Sequence, residues 1–250
     1  MKNPKISIIT VCFNSEKHLE EAIRSVVSQS YMNKEYIIID GGSTDGTLDI
    51  IAKYRDKIDY FVSEPDRGIS DAFNKGIKAA TGDLIGIINS DDIMMLEVLK
   101  KVAAEYEDGV DVYRGYELLY YPTRKTIKAE YPNNRFGRIP IGNCICHEAA
   151  FLTKKIYEKV GLYNISYKYL MDVDLFMRLY RAKAVHKFIN VCVLTFRVGG
   201  ASSTISKSYL NERKRLIIEN GGTILEAFIY VSYHRLKQYM KRLVFLIWPK

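Results

Sequence analysis

Hydrophobic positions in the first hundred residues switch between two periods. Residues 6–12, 36–40, 60–63 and 84–88 are short, largely apolar stretches of strand length, as expected of strands in a sheet covered on both faces. Between them apolar residues recur at helical spacing. Leu19, Ala22, Ile23, Val26 and Val27 form one such set, with Asn14 or Ser15 placed to cap it. Residues 47–54 form a second. Ala72, Phe73, Ile77 and Ala80 make a third, and Met95, Val98, Leu99 and Val102 a fourth. Strands alternating with short helices predict βαβ units with right-handed crossovers, hence an α/β fold with a mainly parallel sheet flanked by helices.

The pattern then loosens. Residues 110–121 alternate enough for one or two strands, and 131–142 read as a loop containing Pro, Gly and Asn. Helices are predicted over 154–160 and 174–180, a strand over 187–196, and a flexible loop over 197–203. Two helices close the chain, one over 210–219 and a longer one over 223–247. In the last, Leu225, Phe228, Ile229, Leu236, Tyr239, Met240, Leu243 and Ile247 form an apolar stripe. His234, Arg235, Gln238, Lys241 and Arg242 fall on another face. There is no internal repeat and no low-complexity segment.

Charge sharpens the reading of that tail. The chain of 250 residues carries a formal net charge of +8. From Lys207 onward nine Lys and Arg residues face three Glu, so most of the excess lies in the tail. This asymmetry predicts a local anionic partner. The amphipathic stripe, with Trp248 beyond it, suits a helix lying in the plane of an anionic membrane. A helix packed on the body of the protein, or an oligomer contact, would show the same stripe. Nucleic acid is not an expected partner, because the tail lacks a recognised fold for it.

Four cysteines (Cys12, Cys144, Cys146 and Cys192) fall mostly in apolar surroundings, and Cys144-x-Cys146 lacks zinc-knuckle spacing. They read as buried free thiols in a reducing compartment. Residues 6–13 run into Asn14-Ser15 with no export cleavage site, and no segment approaches the ~20 apolar residues of a membrane span. A cytoplasmic location follows as the expectation.

Polar residues cluster where the predicted strands end: 10–15, 40–46, 64–68 and 89–92. Parallel strands share a C-terminal edge, which is where open α/β sheets bind ligands. Asn89-Ser90-Asp91-Asp92 is the most informative of these exits. Two adjacent carboxylates need a counter-charge, most simply a divalent cation bridging to phosphate. Alternatively, Asp91 or Asp92 caps a helix starting near Ile93.

Taken in order, these exits resemble family 2 of the glycosyltransferases. The resemblance rests on Ser7-Ile8-Ile9-Thr10-Val11-Cys12-Phe13-Asn14, Asp40-Gly41-Gly42-Ser43-Thr44-Asp45-Gly46-Thr47 and Glu64-Pro65-Asp66-Arg67-Gly68. It continues through Asn74-Lys75-Gly76, Ala80-Thr81-Gly82-Asp83 and Asn89-Ser90-Asp91-Asp92. It covers roughly residues 5–200 and implies a GT-A, Rossmann-like fold, a nucleotide-sugar donor, a divalent metal (Mn²⁺ or Mg²⁺) and inversion at the anomeric carbon.

By position, the resemblance assigns Asp40 to the base, typically uracil, and Thr10, Phe13 and Asn14 to the loop lining the nucleoside. Asp66, Arg67 and Asn74 would flank the donor; Arg67 could contact phosphate or pair with Asp66. Ser90-Asp91-Asp92 matches the DXD element with serine in its first place. Asp92 would then ligate the metal and Asp91 contact ribose or sugar. Asp172, in Tyr169-Leu170-Met171-Asp172-Val173-Asp174, would be the base that deprotonates the acceptor. Asp174 in the first helical turn would favour the helix dipole.

His147 stands where the family often has a histidine near the acceptor site, although core packing accounts for it as well. Arg197 with Gly199-Gly200 could form a lid, or an ordinary surface turn. The implied division is a catalytic domain over 1–205 (a nucleotide-sugar half over 1–107, an acceptor half over 108–205) and a basic helical tail over 206–250. The implied activity moves a sugar from a UDP-sugar to an acceptor hydroxyl. A lipid-linked saccharide at the inner face of a bacterial membrane is the expected acceptor, in O-antigen, capsule or exopolysaccharide synthesis. An inactive carbohydrate- or lipid-binding scaffold is the competing reading. A sugar nucleotidyltransferase would need a Gly-rich loop where Cys12-Phe13-Asn14-Ser15 stands.

Overall fold

The computed structural model describes residues 3–133, 145–199 and 206–247, without the side chains of 237–239 and 241–247. β1 (Ile6–Cys12) lies parallel between β2 (Lys34–Asp40) and β4 (Leu84–Asn89), and β3 (Tyr60–Ser63) adds parallel to β2. The second half continues the same sheet. β8 (Ala150–Thr153) pairs antiparallel with both β4 and β6 (Val112–Tyr121), and β9 (His186–Arg197) runs parallel to β6. Among the described residues the strand order is β3-β2-β1-β4-β8-β6-β9-β5, where β5 is Ile93–Met94, and β7 (Thr126–Glu130) pairs antiparallel with β6 off this path.

Strand alternation sorts the apolar residues into two layers. Ile6, Ile8, Tyr36, Ile38 and Ile88 pack with Leu19, Ile23 and Val26 of α1 (Leu19–Val27), Ile50 and Ile51 of α2 (Thr47–Lys53), and Val98, Leu99 and Val102 of α4 (Val98–Ala104). On the opposite face Ile9, Val11, Ile37, Ile39, Ile85 and Ile87 meet α3 (Ile69–Ala79), α5 (Lys154–Val160), α6 (Met171–Arg181) and Leu216 of α7 (Lys207–Glu219). α3 approaches β1 closely: a Cβ on Gly76 would lie 2.4 Å from Ile9 Cγ2, so only glycine fits there. α8 (Ile224–Ile247) follows α7.

The alternation of strands and helices expected from the first half is present. Three strands were not expected. β7 is short, largely exposed and has no apolar stripe. β8 runs directly into α5, whose N-cap is Thr153. β5 (Ile93–Met94) occupies the place where a helix was expected to start; it pairs antiparallel with β9, and the Met95 N–H donates to Val193 O at 2.8 Å. α4 begins only at Val98. Asp91 and Asp92 therefore cap no helix.

Candidate active site

The C-terminal edge of β1, β2 and β4 faces the start of α6 and the end of β9 across a cleft of about 520 Å³. Its first wall is a frame of hydrogen bonds between loops. Asn14 has a left-handed backbone (φ 48°); its N–H donates to Ser43 Oγ at 2.8 Å and its Oδ1 accepts from the Thr44 N–H at 2.9 Å. Asp40 is fully buried. It accepts from the Gly42 and Ser43 N–H groups and from the Ser43 and Ser63 hydroxyls. Burial alone would raise its carboxyl pKa, but the hydrogen bonds from Ser43 and Ser63 outweigh it and hold the group below its usual range.

Asp40, expected at the base, has no exposed surface in this geometry and holds the turn through these hydrogen bonds. Thr10 is likewise buried, its hydroxyl 3.1 Å from Tyr36 Oη. Phe13 is exposed and lines the cleft.

The donor-flanking residues separate in the same way. Asp66 lines the cleft, so close to the β2 turn that a Cβ on Gly41 would lie 2.6 Å from Asp66 Oδ2. Arg67 points to solvent and pairs with Asp71 at 3.4 Å, neither with Asp66 nor into the cleft. Asn74 is buried and clamps the Tyr163 backbone: Nδ2 donates to Tyr163 O at 2.8 Å, and Oδ1 accepts from Tyr163 N at 2.9 Å. Both its polar atoms are engaged at Tyr163, so Asn74 joins the two halves of the chain.

At the exit of β4, Ser90 and Asp91 line the cleft, and Ser90 Oγ lies 2.9 Å from Ser15 Oγ of the first loop. Asp92 turns the other way. It has no exposed surface; Oδ1 accepts from the Arg197 N–H at 3.0 Å and Oδ2 from Asn89 Nδ2 at 3.3 Å. Burial, then the nearby Glu148 charge, pushes its carboxyl well above the usual range. Of the two acids, Asp91, expected at the ribose or sugar, lines the cleft, and Asp92, expected at the metal, does not. Arg197 secures the turn further through Nε to Asp91 O (3.2 Å) and pairs with Glu21 at 3.1 Å. The proposed hinge partner Gly200 lies outside the described residues.

A buried polar chain crosses from this turn to the other wall. Asn89 Nδ2 also donates to Glu148 Oε1 at 2.9 Å, and Glu148 Oε1 lies 2.8 Å from His147 Nε2. Both His147 and Glu148 line the cleft. Burial alone would lower the imidazole pKa, but the Glu148 ion pair, aided by Asp172 and Glu117, raises it to about 9. His147 is therefore cationic at neutral pH, and the same pairing lowers Glu148 against the effect of burial.

Asp172 sits in the first turn of α6, with Oδ1 accepting from the Val173 N–H at 2.7 Å; Met171 before it lines the cleft, and Asp172 itself does not. Burial raises its pKa, and the His147 charge opposes that rise. Asp174, also in the first turn, instead pairs with Arg178 at 2.9 Å. Sequence reasoning missed Glu148, hidden as a lone acid inside the apolar run Ile145-Cys146-His147-Glu148-Ala149-Ala150.

Among the described residues no three His, Cys, Asp or Glu side chains are grouped to hold a metal ion. The donor set nevertheless fits a hard cation shared with a ligand. Asp91 offers a cleft-facing carboxylate, and Asp92, Glu148 and Glu117 crowd further acid behind it. A cation there would complete its shell with diphosphate oxygens and water.

Residues 7–188 match the family model Glycosyl transferase family 2. The chain belongs to that family. The chain is similar to an uncharacterized glycosyltransferase of Rickettsia typhi, at 31% identity over 81% of this chain and 66% of that protein. It is also similar to the PGL/p-HBAD biosynthesis glycosyltransferase of Mycobacterium bovis, at 30% identity over 82% of each. Its fold is GT-A, shared with S. aureus TarS in complex with UDP (TM-score 0.66, 21% identity, 86% of this chain and 65% of that one). The mannosyltransferase PcManGT from Pyrobaculum calidifontis, in complex with GDP-Man and Mn²⁺, is similar at TM-score 0.64 and 15% identity, over 92% of this chain and 70% of that one. The chain thus spans about two thirds of the length of the Rickettsia relative and of the TarS fragment.

Proposed function

We propose that this glycosyltransferase is metal-dependent and inverting, and moves a sugar from a UDP-sugar to a hydroxyl of a lipid-linked saccharide in bacterial surface-polysaccharide synthesis. The observation that carries the reading is the chain Asp92–Asn89–Glu148–His147, which ties the β4 turn bearing Asp91 to His147, whose charge Asp172 feels. Nucleoside diphosphate sugars bound to fold relatives support the donor class.

In this reading Asp172 accepts the proton of the acceptor hydroxyl as its oxygen bonds to the anomeric carbon from the face opposite the diphosphate. The bond from that carbon to the diphosphate oxygen breaks, and its electron pair leaves with the diphosphate. A bound cation, held by Asp91, would neutralise the departing charge. Cationic His147 favours the ionised form of Asp172, the form able to take the proton. Ser15, Ser90, Asp66 and Phe13 shape the donor side, on a frame set by Thr10, Asn14 and Asp40.

The tail supports a peripheral site at the inner membrane face. No helix among the described residues is long and apolar enough to cross a membrane, yet α8 leaves a row of large apolar side chains exposed. The activity is tested by UDP release from a panel of UDP-sugars with Mn²⁺ or Mg²⁺ and a saccharide acceptor. Asp91→Asn and Asp172→Asn are each expected to lower turnover by about 10²-fold or more with the fold retained by circular dichroism. Undiminished turnover in either variant removes that residue from the mechanism.

A further inference from the structure

α7 lies wholly beyond the matched segment 7–188, yet it grips the residues that lead into the helix carrying Asp172. Three successive backbone N–H groups converge on one carboxylate of α7. Glu212 Oε1 accepts from Lys168 N at 2.8 Å, and Oε2 accepts from Tyr169 N at 2.8 Å and Leu170 N at 3.2 Å. These donors precede α6, where a helix start leaves N–H groups without intrahelical partners. A negative charge there is also favoured by the helix dipole.

The same helix holds the preceding residues. Arg215 donates to Ser166 O at 2.9 Å and stacks over the Tyr167 ring at 3.9 Å, and Tyr167 Oη donates to Glu219. Leu216 packs with Tyr167, Leu170 and Met171 in one core.

The gripped segment places Lys168, Tyr169 and Met171 on the cleft wall, and Asp172 follows directly. Glu212 does not itself line the cleft. We propose that Glu212 is a positioning residue: it fixes residues 168–170 so that Asp172 meets the acceptor hydroxyl at reacting distance. This rests on the proposed transferase mechanism with Asp172 as base. A carboxylate that must stand within about 3–3.5 Å of a hydroxyl loses rate steeply when its mount shifts by about an ångström. None of the residues proposed for the donor side belongs to α7, and no α7 residue lines the cleft, so the effect is expected in turnover and not in UDP binding.

The test compares wild type, Glu212→Ala and Glu212→Gln by amide hydrogen exchange without substrate, by UDP titration, and by turnover of whichever UDP-sugar the wild type uses. In Glu212→Ala the amides of Lys168, Tyr169 and Leu170 are expected to exchange at least about tenfold faster while those of β1 and β4 are unchanged. Its kcat is expected to fall about 10- to 100-fold, with the Kd for UDP within about threefold. Glu212→Gln keeps the length and one acceptor oxygen, and recovers part of both losses.

Unchanged exchange at 168–170, or unchanged kcat beside a working wild type, overturns the proposal. So does a kcat loss in both variants matched by equal loss of UDP binding and of protection throughout the sheet, which marks a folding role. A wild type that turns over no UDP-sugar overturns the mechanism the positioning role depends on; the exchange result would still report whether Glu212 grips the segment.

Discussion

At the scale of single residues, the cleft is governed by one buried cation facing an excess of acid. His147 has Glu148 against Nε2 and feels Asp172 and Glu117. Its folded pKa, about 9, lies above the ordinary value of 6.5, so the fold binds its proton more tightly than the unfolded chain does. The stabilisation is fully present below pH 6.5 and is lost as pH rises through about 9. At about 1.4 kcal/mol for each tenfold gain in proton affinity, its size is on the order of 3 kcal/mol. His147→Gln removes the titration. Thermal denaturation from pH 6 to 10 is expected to show wild type losing stability across this window and the variant losing markedly less. Parallel curves for the two proteins would show that His147 carries no stabilising charge.

At the scale of elements, Asn74 decides between fold and ligand. It joins α3 to the residues before α6 through two hydrogen bonds to Tyr163. Asn74→Ala would leave the Tyr163 N–H and C=O buried without these partners, a cost of about 2–4 kcal/mol. A fall in Tm is expected, with UDP affinity little changed; intact stability with lost UDP binding would restore the donor-contact role the motif suggested.

Much of the sheet was legible in the chain itself. Apolar runs and their polar exits located β1, β2, β4 and the cleft, because strand periodicity and the shared edge of parallel strands are local and geometric facts. Which exit residue faces the ligand is not local. Asp40 is held by Ser43 and Ser63, Asn74 by Tyr163, and Asp92 by Asn89 and Arg197; Ser43 and Asn89 are three residues away, but Ser63, Tyr163 and Arg197 are 23, 89 and 105 residues away. β5 was hidden because its partner β9 comes from the other half, and β8 because it is set between β4 of the first half and β6 of the second.

At the scale of the whole molecule, the tail contrasts with the body. Ala227 is buried and Tyr230 stacks with Arg213 of α7, so one side of α8 is packed. Ile224, Leu225, Phe228, Ile229, Tyr233, Leu236 and Met240 are each at least half exposed. Mostly three or four residues apart, they line a broad stripe along the helix. Each large apolar side chain taken out of water contributes roughly 1.5–3 kcal/mol, enough together to hold a helix in a bilayer interface when basic residues add attraction to anionic lipid. A lipid-linked acceptor would then lie in the same plane as the enzyme that uses it.

Vesicles with about a third phosphatidylglycerol should bind the full chain. Binding should weaken in 0.5 M salt through screening, and should be lost on deleting residues after Gly222. That deletion retains α7 with Glu212 and the cleft, so turnover of a water-soluble acceptor should persist while turnover of a membrane-embedded one falls. Equal vesicle binding by the truncated and full chains would refute the lipid role. A full chain that runs as a dimer in light scattering, with a monomeric truncation and no vesicle binding by either, would assign the stripe to self-association.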